Sequence, residues 1–181
     1  MRKLVAYTLL SADGVAESPD QFLLDFDDEL QENLNGVIET QDAVLLGRRT
    51  HDEWADFWPA SDIEPFATFI NTTKKYVATS TPLHAQWAMT TVMAGPVDEF
   101  VRDLKAQAGG DIGVHGSIEL TRSLIAAGLV DELRLVIAPA VAGPGRRLLG
   151  DGRARKLQLL RGATTSSGAL IADYRVLAVT E

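Results

Sequence analysis

Residues 112–137, IGVHGSIELTRSLIAAGLVDELRLVI, decide the fold. Ile112-Gly113-Val114 is short and apolar, as a buried strand is. Ser117 follows as an N-cap, and Ile118, Leu120, Thr121, Leu124 and Ile125 share one helical face. Gly128 closes that helix, and Leu133, Leu135 and Ile137 then alternate on another strand. Strand, helix and strand in close succession put the two strands parallel, with the helix as crossover.

The same alternation extends in both directions. Leu4–Leu10 is almost continuously apolar, which predicts a strand covered on both faces. Phe26, Leu30, Leu34, Val37 and Ile38 form one helical stripe. Asp25, Asp27, Asp28 and Glu29 crowd its start, where the helix dipole favours negative charge. Residues 43–46 read as a buried strand ended by Gly47. Trp54, Phe57, Trp58 and Pro59 suggest a helix and then a loop, and residues 76–79 and 91–93 suggest two further strands. Pro96 opens a helix faced by Val97, Phe100, Val101, Leu104 and Ala108 and ended by Gly109-Gly110. Residues 156–161 and 169–179 make a final hairpin joined near Ser166-Ser167-Gly168. The expectation is one α/β domain over 1–181, in three layers, with a mostly parallel sheet and a C-terminal antiparallel hairpin.

Composition excludes several classes. The chain has 181 residues, enough for one domain with a core of its own. It carries 17 Lys and Arg against 25 Asp and Glu, a net charge of −8. Its overall field attracts neither nucleic acid nor an anionic membrane, so any anion site must be local. The absence of Cys removes disulfides, thiolate catalysis, iron–sulfur clusters and cysteine zinc sites. No apolar run approaches the roughly 18 residues of a membrane span, and Leu4–Leu10 reads as a first strand rather than a leader. The expected location is the cytoplasm. His51, His84 and His115 lie far apart without metal-ligand spacing, so no metal is expected. Neither a GxSxG elbow nor an SxxK motif marks a nucleophile. Trp54 and Trp58, at i and i+4, read as packing.

Ligands on such sheets bind at the carboxyl ends of the strands. Three strand ends have suitable chemistry. Gly47-Arg48-Arg49-Thr50 offers a backbone open to close approach, two guanidinium forks and a hydroxyl; the alternative is a surface turn with solvated arginines. Gly113-Val114-His115-Gly116-Ser117 leads a strand into a helix N-terminus, an anion site or an ordinary turn. Ser11-Ala12-Asp13-Gly14 puts a carboxylate after the first strand, for substrate contact or for an Asp-Gly turn.

Taken in order with Gly128-Leu129-Val130-Asp131-Glu132-Leu133, Ala138-Pro139 and Gly143-Pro144-Gly145, these motifs resemble the dihydrofolate reductase superfamily. The nearer resemblance is to the C-terminal reductase domain of bacterial riboflavin-biosynthesis deaminase-reductases (RibD) and its stand-alone relatives. It covers essentially the whole chain. It implies an eight-stranded, dihydrofolate reductase-like sheet and NADPH as hydride donor. By motif, Gly47, Arg48, Arg49 and Thr50 would meet the pyrophosphate and 2′-phosphate. Thr79 and Ser80 would border the adenosine, and His115, Gly116 and Ser117, leading into Ile118, would bring a helix N-terminus to the pyrophosphate. Asp13 and Asp28 are the catalytic candidates, for substrate orientation and proton delivery. The implied substrate is a nitrogen heterocycle: a pyrimidine, a pteridine or a compound like 5-amino-6-(5-phosphoribosylamino)uracil. A homodimer is expected. The rival expectation is a dimeric binding protein of the same fold with little or no turnover. Three positions depart from the pattern: Ala12 for Leu, His51 for Tyr, and His115 for the first Gly of a Gly-Gly turn.

Overall fold

Leu4–Leu10 (β1) lies near the middle of an eight-stranded sheet in a computed structural model that describes residues 1–149 and 154–178. The other strands are Gln41–Gly47 (β2), Lys74–Ala78 (β3), Thr90–Val92 (β4), Asp111–His115 (β5), Glu132–Ile137 (β6), Leu157–Thr164 (β7) and Leu170–Val176 (β8). The order is β4-β3-β2-β5-β1-β6-β8-β7. All neighbouring pairs from β4 to β6 are parallel, while β8 runs antiparallel to both β6 and β7. The expected fold is therefore present. Within the expected hairpin, β8 docks on β6 and β7 forms the edge of the sheet. Val179, the expected end of the last strand, lies outside the described residues.

The helices are Asp28–Ile38 (α1), Arg48–Phe57 (α2), Phe66–Thr72 (α3), Val97–Ala106 (α4) and Ile118–Ala126 (α5). Strand parity sorts them into layers. Leu4, Ala6 and Leu10 of β1 join Val101 and Leu104 of α4 and Leu120 and Leu124 of α5 in one core. Tyr7 points to the other face, where Leu30, Leu34, Val37, Phe66 and Ile70 pack. Burying such a Leu or Ile fully is worth about 1.5–3 kcal/mol. Covered on both faces, β1 has to be apolar at nearly every position.

Two local readings need correction. Phe26 precedes α1 and is 43% exposed, so the helical stripe starts at Leu30. Helix α3 leaves no mark in the sequence, because seven residues are too few to establish a period. Its C-terminal carbonyls are met by Lys75, a wholly buried lysine whose Nζ donates to the carbonyls of Ile70 (2.7 Å) and Thr73 (3.0 Å). Its ammonium lies 4.5 Å from the centre of the Trp87 ring, and burial lowers its pKa to about 8. Among the described residues no helix is long and apolar enough to cross a membrane.

Candidate functional site

Strands β2 and β5 are parallel neighbours, so the helices that follow them begin side by side. The backbone N–H of Gly47 donates to the Ser117 hydroxyl (2.9 Å). Ser117 stands at the N-cap of α5 but does not cap it; its oxygen serves the end of β2 instead. Helix α2 starts from Gly47, which has no side chain to offer, and no acid lies in its first turn. Two helix N-termini thus abut without side-chain caps. Helix α1 shows the contrast: the Asp27 carboxylate accepts from the Leu30 N–H (2.9 Å), and Asp28 and Glu29 follow. Uncapped first-turn N–H groups and a positive dipole end suit an anion.

Gly116 makes the turn between β5 and α5 at φ +65°. A Cβ there would sit 2.9 Å from the Trp54 ring and 3.5 Å from the Thr50 methyl. Trp54 and Thr50 of α2 therefore pack directly against this turn. The i, i+4 tryptophan pair was legible as packing; that one member lies against the turn was not.

The two arginines differ. The Arg48 Nη1 donates to Asp52 Oδ2 (3.0 Å). Asp52 Oδ1 accepts the His84 N–H (3.0 Å) and lies 3.2 Å from Nδ1 of the buried His51. Burial pushes the Asp52 carboxyl up, but hydrogen bonds from His51, His84 and Arg48 outweigh it and hold it below the usual carboxylate range. Arg49 is exposed and makes no ion pair among the described residues; Glu17 is near enough to feel its charge. Thr79 spends its hydroxyl on its own turn, bonding the Thr81 carbonyl (2.6 Å) and N–H (3.0 Å), while Ser80 is exposed.

Four of the sequence-based candidates have side chains already committed elsewhere or turned away from the strand ends. The Asp13 carboxylate accepts from the Ser11 hydroxyl (2.7 Å) and from the N–H groups of Ala142 and Gly143 (3.0 Å each), with Arg147 at 3.5 Å. The Ser11 hydroxyl and then these amides lower its pKa to about 2. It is ionised at neutral pH. Its task is to staple the segment after β1 to residues 140–147, beside the Ala12-to-Ala140 and Ala16-to-Arg146 backbone bonds. Asp28 is an exposed first helical residue, and the cap is Asp27. Burial raises Asp27, but bonds from Ser167 and Leu30 outweigh this and hold it well below the usual range.

The His115 ring does not face the crevice. It lies back along β5 over Gly113, with Nε2 2.8 Å from Gln41 Oε1. A Cβ on Gly113 would strike the Gln41 amide oxygen and stand 2.8 Å from His115 Nε2, so Gly113 makes room for this buried pair. Burial lowers the His115 pKa to about 4. Only the His115 backbone belongs to the turn. Ile118 likewise buries its side chain in the core and leaves its backbone at the helix start. Among the described residues no group of three or more acidic or histidine side chains could hold a metal ion.

The sequence profile of the RibD C-terminal domain matches residues 2–171. The chain belongs to that family. The uncharacterized protein YyaP of Bacillus subtilis (strain 168) is 29% identical over 182 residues, covering 96% of this chain and 94% of YyaP. Among solved structures, a putative riboflavin biosynthesis protein from Shewanella sp. PV-4 superposes with TM-score 0.77 at 14% identity, covering 97% of this chain and 99% of that one. A dihydrofolate reductase from Enterococcus faecalis, solved with NADP(H), gives 0.61 at 16% identity over 96% of both chains. At these identities the two structures share a fold with this RibD C-terminal domain protein. Family membership supports an oxidoreductase.

Proposed function

We propose that this RibD C-terminal domain protein is an NADPH-dependent reductase of a nitrogen heterocycle, of the pyrimidine or pteridine type. The observation that carries the reading is the pair of uncapped helix N-termini locked together by the Gly47–Ser117 bond, with Arg48 and Arg49 in the first turn of α2. The site fits a dinucleotide phosphate chain: two dipole ends, a turn at Gly116 with no side chain in the way, and a cation, Arg49, with no ion pair among the described residues. Gly47, Thr50, Gly116 and the backbone of Ser117 and Ile118 would hold the pyrophosphate, and Arg48 and Arg49 the remaining phosphate, with Thr79 and Ser80 at the adenosine end.

When bound, NADPH supplies a hydride. The protein binds and orients. The clasp of Asp13 on Ala142 and Gly143 keeps the segment after β1 folded over the sheet's carboxyl edge. Since Asp13 stays ionised and Asp28 faces solvent, the proton that completes the reduction comes from water.

The occupied Asp13 is also what favours the second reading, a binding protein with little turnover. Absorbance at 340 nm separates the two. The reductase reading expects NADPH oxidation that depends on a heterocycle from a panel of aminouracils and dihydropteridines. Binding of NADPH without oxidation by any of them supports the binding protein. A homodimer completes the proposal, supported by β7, whose Leu157, Leu159 and Leu160 remain exposed at the sheet edge.

A further inference from the structure

We infer that Asp52 is a positioning residue that holds the Arg48 guanidinium ready for a phosphate at the adenosine end of the cofactor. The inference rests on the NADPH reading above. It starts from the difference between two adjacent arginines. Arg49 has no ion pair among the described residues, whereas Arg48 is tied one helical turn forward to Asp52 (3.0 Å). Asp52 is itself immobilised. Its side chain is 13% exposed, and its second oxygen takes the His84 N–H at 3.0 Å. Behind it lies His51, wholly buried, with Nδ1 3.2 Å from the carboxylate and Nε2 3.4 Å from the Thr90 hydroxyl at the start of β4. Contacts therefore run from Thr90 through His51 and Asp52 to Arg48. They fix the guanidinium against the segment between β3 and β4, the segment that contains Thr79 and Ser80.

Among the described residues, only Nη1 of Arg48 is engaged. The edge formed by Nε and Nη2 has no partner among the described residues, and that edge can grip a phosphate through two parallel N–H bonds. A free arginine loses most of its side-chain freedom when it binds, and the contact with Asp52 restricts Arg48 beforehand. Arg48, pre-ordered by Asp52, thus becomes the residue that discriminates a 2′-phosphorylated dinucleotide from its unphosphorylated counterpart. Arg49 adds charge without that selectivity.

The test is direct titration of the wild type, Asp52→Ala and Asp52→Asn with NADPH and with NADH, read by calorimetry. It is paired with 15Nε relaxation of Arg48 in the ligand-free proteins. Asp52→Asn keeps an acceptor for the His84 N–H, so the loop stays anchored. The expected result is a selective loss: NADPH affinity falls about five- to tenfold in both variants, NADH affinity stays within about twofold, and the Arg48 Nε–H changes from rigid to mobile. Equal losses for both dinucleotides, tighter NADPH binding, or an Arg48 as mobile in the wild type as in the variants would overturn the role of Asp52. A wild type that binds neither dinucleotide overturns the cofactor reading itself and this inference with it.

Discussion

A methyl group on Gly116 would stand 2.9 Å from the Trp54 ring while the backbone holds φ +65°. Gly116→Ala therefore combines a left-handed penalty of roughly 1–2 kcal/mol with a displaced tryptophan. Urea unfolding should show a loss of at least that size, and an unchanged midpoint would remove Gly116 from its place in the turn. At Asp13 the expected phenotype is structural. Asp13→Ala should make the 140–147 segment a preferred site of limited proteolysis, because two backbone N–H groups and Arg147 lose their shared acceptor. Unchanged cleavage would argue against the staple. His115 gives a pH signature. Its folded pKa, about 4, lies below the ordinary 6.5, so the unfolded chain binds the proton first and stability falls as pH drops from 6.5 to 4. The full effect is about 3 kcal/mol, and His115→Gln should flatten that part of the stability profile. Gly47-Arg48-Arg49-Thr50 and the Gly116 turn were legible because strand ends and helix starts leave marks in sequence. The direction of the His115 ring was not, since the turn motif that draws attention to it says nothing about the face it occupies. The one useful signal was Gly113 two residues earlier on the same face, where the ring and Gln41 needed space. Asp27 and Asp28 could not be told apart because any acid near a helix start satisfies the dipole, whereas the cap depends on one φ, ψ pair.

Among the elements, β7 is the least covered. Every residue from Leu157 to Gly162 is exposed, and among the described residues no strand pairs with its outer edge. An edge of this kind, with leucines on it, templates pairing unless something covers it. The proposed homodimer provides that cover. Leu159, 57% exposed, is the position to test. Lysine there should change the monomer's stability by no more than about 0.5 kcal/mol, yet it places a charge in the contact. Sedimentation should give twice the chain mass of 19.6 kDa for the wild type and that mass for Leu159→Lys. A wild-type monomer at micromolar concentration would contradict the assembly. The final hairpin was legible from its apolar runs around Ser166-Ser167-Gly168, but not which strand would dock on β6. That choice depends on pairing between distant residues, Leu133 with Tyr174 and Leu135 with Ala172, which local pattern does not report. Helix α3 is not legible for a related reason: Phe66 and Ile70 supply one turn of signal, and the fold stabilises the helix from outside through Lys75.

At the scale of the molecule, parity and alternation carried the architecture. Continuous apolar strands required two covering layers, and a strand-helix rhythm required a parallel sheet, so its carboxyl edge is identifiable from sequence alone. What needed the structure was the chemistry of that edge. It separates two uncapped helix N-termini, fit for an anion, from carboxylates already spent on backbone N–H groups. The central claim is that this edge binds NADPH in preference to NADH. Calorimetric titration of the wild type with both dinucleotides tests it most directly. Saturable binding of NADPH is expected, tighter than NADH by at least tenfold, as one charge-assisted phosphate contact of about 1.5–3 kcal/mol requires. Equal affinities, or no binding of either, would contradict it.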